Sequence, residues 1–176
     1  YQGTEEYQLS LDTFQEALLL ADINSISYNL IQGEIALLNK KHDIAITYFR
    51  EAYSQEPTDF QVNNSIGLFY LDLEEEAPEY YDPEKALTHL RNANKYDLEK
   101  SEISKQNLAI AYYFNDNFDQ SISLLSTTDI EAFPYMAIWL GLAYLGNNDE
   151  SNATYYFKQS IDLGADVPQE IYDYLY

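Results

Sequence analysis

The chain has no cysteine among its 176 residues. Disulfides, thiolate nucleophiles and cysteine-based zinc sites are excluded. The compartment stays open between cytosol and periplasm, since either tolerates a cysteine-free chain. Gly and Pro number only 6 and 5, which argues against a turn-rich β architecture. Basic residues are scarce. The 9 Lys and Arg face 30 Asp and Glu, for a formal net charge of −21. Such a surface repels DNA and RNA, whose binding rests on neutralised phosphates. It disfavours anionic membrane surfaces for the same reason. A basic partner would be steered toward it, more weakly at high salt. The blander reading of the charge is solubility alone. No stretch approaches the ~20 apolar residues that span a bilayer, so no direct membrane insertion is expected. No signal peptide is visible. The sequence opens on Tyr1 rather than Met, which reads as an excerpt of a longer chain.

Sites for chemistry are equally sparse. His42 and His89 are the only histidines, and neither falls at a metal-ligand spacing. No HExxH, GxSxG, GxxxxGK[ST] or GxGxxG motif occurs. Carboxylates are plentiful, but on helix surfaces they usually serve solvation. No catalytic residue, metal or cofactor is expected, and the segment reads as non-enzymatic. Asn152-Ala153-Thr154 matches a glycosylation sequon, but Ala153 falls at a helix-packing position.

What the chain does have is a repeat. Apolar residues make up 46% of it and 18 residues are Tyr, enough for a core with rings at long, shallow helix interfaces. Ser10, Ala45, Ala86, Ser121 and Ala153 each stand four residues before a bulky residue: Phe14, Phe49, Leu90, Leu125 and Phe157. Three residues further come Ala17, Ala52, Ala93, Thr128 and Ser160. This spacing lies on one helical face. Small residues admit a neighbouring helix and the bulky one fills the groove between. A second series, Gly33, Gly67, Ala109 and Gly141, marks another close-packing helix ahead of the first. Turn-prone runs separate the two series at Asn39–Asp43, Asn115–Asn117 and Gly146–Asp149. Each unit is therefore expected to be a helical hairpin.

The unit Asn29–Pro57 carries Gly, Ala, Phe, Ala and a closing Pro at the spacings of the tetratricopeptide repeat, which it resembles. Trp139-Leu140-Gly141-Leu142-Ala143-Tyr144 is similar to that repeat's first helix. The resemblance covers essentially the whole chain. It implies an all-α, right-handed α-α superhelix, a solenoid of hairpins over 1–176. A half repeat is expected at 4–22, hairpins at 25–56, 58–96, 99–127 and 132–163, and a short terminal helix at 168–175. Stacking supplies the core that one hairpin lacks.

Two units depart from the pattern. From Gly67 to Ala86 the chain is seven residues longer than its neighbours. The extra length falls within Glu74–Pro83, with Asp82 expected to cap a helix starting at Pro83. The insert should project at one edge. It resembles the extended turns of Sel1-like repeats, and reads as a solvated turn or an acidic docking loop; a calcium loop would want a Gly that is absent. The 99–127 hairpin is short, which predicts a local change of curvature.

In tetratricopeptide proteins the first helices line a concave groove. By that resemblance the partner-facing residues are Leu30, Glu34 and Leu37; Asn64, Leu68 and Leu71; Asn107, Ile110, Tyr113 and Phe114; and Tyr135, Ile138, Trp139 and Leu142. Many would equally serve as packing between hairpins. None is Lys or Arg, so the basic clamp with which related repeats hold acidic C-terminal tails is not expected. The function expected is a scaffold holding an apolar or basic peptide. The alternative is a structural or self-associating module of a larger protein.

Overall fold

A computed structural model describes residues 2–73 and 75–176, with the backbone alone for residues 2–6. Among the described residues ten helices follow one another: α1 (Gln2–Leu20), α2 (Ile26–Leu38), α3 (His42–Gln55), α4 (Phe60–Leu71), α5 (Pro83–Tyr96), α6 (Glu102–Tyr113), α7 (Phe118–Leu125), α8 (Tyr135–Gly146), α9 (Glu150–Asp162) and α10 (Gln169–Leu175). No strand occurs among the described residues. The sequence reading treats the chain as one array. The packing divides it into two compact units, one ending at Tyr96 and one spanning Asp97–Tyr176.

Side-chain caps set the starts of α2, α4, α5, α6 and α9. Ser25 accepts from the Tyr28 N–H at 3.1 Å, and Asp59 accepts from that of Val62 at 2.9 Å. Asp82 accepts from that of Lys85 at 3.0 Å, with Pro83 as the first residue of α5. Ser101 and Asp149 act likewise for α6 and α9. Each satisfies a backbone donor that has no partner inside the helix.

Three hairpin turns share one geometry. Lys40, Asp116 and Asn148 hold φ of 56°, 56° and 60°. Around them run paired bonds of the same kind: Lys40 and Lys41 N–H to Leu37 and Ala36 carbonyls, Asp116 and Asn117 to Tyr113 and Tyr112, Asn148 and Asp149 to Leu145 and Tyr144. This is the Schellman arrangement, which ends a helix in a left-handed residue. It reverses the chain in so few residues that the next helix packs antiparallel on the last.

Within a hairpin the small and bulky series interlock. A Cβ built on Gly33 would lie 2.3 Å from the Phe49 ring, and one on Gly141 would lie 2.5 Å from the Phe157 ring. At Gly67 the contact is 2.5 Å to Leu90 Cγ. Phe49, Leu90 and Phe157 are essentially inaccessible to water. Ala109 and Leu125 share a cluster with Met136 and Leu140 in the second unit. Burying each such side chain contributes ~1.5–3 kcal/mol, and only a residue without a β-carbon, or with a methyl alone, leaves room for it.

In the first unit α2 packs on α3, α4 on α5, α1 on α2 and α3 on α4, and the two first helices α2 and α4 also touch. In the second, α6 packs on α7, α7 on α8, α8 on α9, and α6 meets α8. Ile171 and Val167 close that unit over Ala153 and Phe157.

The insert does not project as expected. Glu74 lies outside the described residues; the remainder folds back on the preceding hairpin. Leu73 and Ala77, one helical turn apart, are buried. The Tyr80 ring stands 5.4 Å from Phe69 and 6.0 Å from His42, and its hydroxyl donates to Asp43. Glu76 reaches Lys40 at 3.3 Å and His42 at 3.4 Å. The Ala77 side chain and the Tyr80 ring give the insert something to bury, and that outweighs the solvation of its carboxylates.

Candidate functional site

A concavity in the first unit lies where α2 faces α4. It has two recesses. One, of about 380 Å3, is lined by Leu30, Ile31, Glu34, Phe60, Gln61, Asn64 and Ser65, with Phe14 of α1 at its side. The other, of about 120 Å3, is lined by Glu34, Leu37, Ser65, Leu68, Phe69, Asp72 and Leu73. Glu34 and Ser65 belong to both, so the recesses adjoin.

Helical periodicity builds this surface. Leu30, Glu34 and Leu37 follow one another by four and three along α2, as do Ser65, Leu68 and Asp72 by three and four along α4. Gly33 and Gly67 hold α2 and α4 against α3 and α5. The structure thus brings five of the six residues expected from this unit, Leu30, Glu34, Leu37, Asn64 and Leu68, around one groove. Leu71 is a correction. It is 4% exposed, buried with Phe69 and Tyr70 in the last turn of α4. Leu30 is also mostly buried and offers the groove only an edge.

Polar chemistry in the groove centres on Glu34. The Ser65 hydroxyl donates to its Oε1 at 2.9 Å. Burial raises the Glu34 pKa above 4.5; the Ser65 bond opposes this and the Asp72 charge adds to it. Asp72 is an exposed residue, yet the recess crowds its carboxyl enough for burial to raise its pKa too. No Lys or Arg acts on either.

A second polar knot holds the same unit together from behind. Asn63, fully buried, donates through Nδ2 to the Pro57 and Asp59 carbonyls at 2.9 and 2.8 Å. Its Oδ1 must then accept, so the His89 ring at 3.1 Å carries its proton on Nδ1. Burial lowers the His89 pKa, and Tyr53 and Tyr70 pack on the ring.

In the second unit the expected residues divide. Tyr113 and Phe114 pack on Trp139, each with ring centres 5.6 Å from it. Ile110 and Trp139 are half-buried against the Ala109–Leu125–Met136–Leu140 cluster. Ile138 and Leu142 lean instead on the Ala153–Phe157 cluster. Tyr135 is exposed, and its hydroxyl donates to Gln106 Oε1 at 3.2 Å. Asn107 is half-buried. The aromatic trio joins α6 to α8 as much as it offers a surface.

The groove residues missed from sequence are Phe14, Ile31, Phe60, Gln61, Ser65, Phe69, Asp72 and Leu73. The Ser65–Leu68–Asp72 spacing signals Asp72. Nothing in the sequence pairs Ser65 with Glu34, 31 positions away. Among the described residues no group of His, Cys, Asp and Glu is placed to hold a metal ion. No described helix is long and apolar enough to cross a membrane.

Hairpins keyed by a small residue against a bulky one, turned through a left-handed residue and stacked first helix on first helix, define the fold of tetratricopeptide-like solenoids. Solved structures with this fold are similar throughout. YrrB, a TPR protein with an unusual peptide-binding site, superposes with a TM-score of 0.67 at 17% identity, over 94% of this chain and 81% of that one. PilW, a widely conserved type IV pilus biogenesis factor, gives 0.71 at 22% identity, over 97% and 76%. MamA gives 0.64 at 18% identity, over 92% and 85%. The sequence itself matches no protein-family model and no curated protein.

Proposed function

We propose that this chain is a non-enzymatic scaffold that holds a peptide segment, apolar with some positive charge, in the groove between α2 and α4. The observation that carries the reading is the pair of adjoining recesses, whose walls are leucine and phenylalanine and whose floor is a carboxylate. Apolar walls supply affinity through area removed from water, and a few fixed polar groups supply orientation. The peptide-binding site ascribed to the similar protein YrrB supports the same reading. The net charge of −21 favours a basic partner over an acidic one. The test is selection of random linear peptides on the protein, followed by anisotropy titration against a Leu37→Ala/Leu68→Ala variant. Weakened binding with unchanged helicity is expected. Unchanged affinity removes the groove from the site.

A second reading, a self-associating structural module, is favoured by α1. Leu19 and Leu20 are 85% and 89% exposed there, with Leu9 on the same helix also exposed. Exposed leucines so clustered invite association. Light scattering across protein concentration separates the readings: a monomer at high concentration excludes the module.

A further inference from the structure

Within the groove, the smaller recess has a composition of its own. Its walls are Leu37, Leu68, Phe69 and Leu73, and its polar edge is Glu34, Ser65 and Asp72. At about 120 Å3 it is of the order of a cavity that takes one benzene-sized group, ~150 Å3; a single side chain fits it, a length of backbone does not. We infer that this recess is a subsite for one Lys or Arg side chain of the bound peptide, its aliphatic stem along Leu37 and Leu68 and its charge between Glu34 and Asp72. The inference rests on the groove reading above and specifies what the groove selects.

Three observations converge on a cation. First, two carboxylates, Glu34 of α2 and Asp72 at the end of α4, line the same small recess. The ion pairs Lys40–Glu76, Lys85–Asp82 and Lys105–Glu102 lie elsewhere. Second, Asp72 caps the C-terminal end of α4, where free carbonyls already make the local potential negative. A carboxylate adds to that potential and a cation relieves it. Third, the walls beside the charges are apolar, the surface that a Lys or Arg stem covers while its head stays polar. A wholly apolar side chain would leave both carboxylates desolvated and uncompensated, and an acidic one would add a third like charge. Burial raising the Glu34 pKa fits a carboxylate that lacks its counter-charge in the free protein.

The experiment uses the whole chain and a peptide taken from selection of random linear peptides on it. Its Lys or Arg is replaced by norleucine, and both peptides are titrated against wild type and against Glu34→Gln/Asp72→Asn. The expected result is enrichment of Lys or Arg flanked by apolar residues. The norleucine exchange should weaken binding to wild type by roughly tenfold or more and change little in the variant. Selected peptides without such a residue overturn the subsite, as does an equal norleucine effect on both proteins. If those peptides still lose affinity for Leu37→Ala/Leu68→Ala, the groove stands and only the subsite falls. If they do not, the groove reading falls with it. Gln and Asn preserve shape, and the norleucine arm needs no variant at all.

Discussion

Replacing Gly33 with Ala sets two effects of opposite sign against each other. Gly33 sits inside α2, where Ala is favoured over Gly by about 0.5–1 kcal/mol from helix propensity. By propensity alone the variant should be more stable. The added methyl, however, would meet three atoms of the Phe49 ring at 2.3, 2.6 and 2.9 Å. Phe49 is fully buried and its ring has Phe69 at 6.2 Å, so it cannot swing aside cheaply. Overpacking of this kind costs about 1–3 kcal/mol. The net expectation is a loss of about 1–2 kcal/mol, the smaller propensity gain being subtracted. For a chain of this size that lowers the thermal midpoint by ~2–8 °C. The decisive assay is a double-mutant cycle by urea denaturation, with Phe49→Leu as the second change. Leu at 49 vacates the space the methyl needs, so in that background Gly33→Ala should cost nothing or stabilise slightly. The coupling should reach about 1–2 kcal/mol. If Gly33→Ala alone stabilises the protein, or if the cycle shows no coupling, then the close contact is not what fixes glycine here.

Asn63→Ala should destabilise by about 2–3 kcal/mol, because it frees the Pro57 carbonyl, leaves the Asp59 carbonyl with its backbone bond alone and leaves the half-buried His89 Nδ1–H without an acceptor; the urea midpoint measures it. Asp97 is held at about 2 by hydrogen bonds from Ser101, Ser104 and nearby backbone N–H groups. A depressed carboxylate stabilises above its ordinary value of 3.8, and that contribution disappears as pH falls through about 2. The thermal midpoint of wild type should therefore drop more steeply over this window than that of Asp97→Asn; parallel profiles would contradict the assignment. Glu34 runs the other way. Its folded pKa lies above 4.5, so its contribution worsens as pH rises from 4.5 through the folded value. Glu34→Gln, which can keep the Ser65 bond, should be more stable than wild type at neutral pH and lose that advantage at acid pH; a less stable variant at neutral pH contradicts the burial argument.

The architecture was legible because its determinants are local. The Gly–Phe key closes over sixteen residues in Gly33–Phe49 and Gly141–Phe157, and caps and turn residues sit within four positions of the backbone they serve. Asp82 and Pro83 could be assigned to a helix start from identity alone. The fate of the insert could not. Its outcome depends on His42, Asp43 and Lys40, which the sequence places more than 30 positions away. The groove was legible to the extent that it follows helical periodicity, as with Leu30, Glu34, Leu37, Asn64 and Leu68. Leu71 shares that periodicity but lies in the buried last turn of α4. Asn63 and His89 carry ordinary polar identities, and only their juxtaposition makes them a buried network.

The sixteen-residue reach of the key also bears on how the chain folds and breathes. A contact that joins residues so near in sequence closes a short loop, and closure entropy grows only slowly with loop length. Each hairpin can therefore form from its own segment without waiting for distant strands of chain to meet, which is the regime of fast folding. The same locality lets a single hairpin open while its neighbours stay closed. Amide exchange should accordingly separate by hairpin rather than by depth from the surface. The seven added residues between Gly67 and Ala86 lengthen one loop only, at a closure cost of a few tenths of a kcal/mol, and the contacts of Tyr80 and Glu76 offset it.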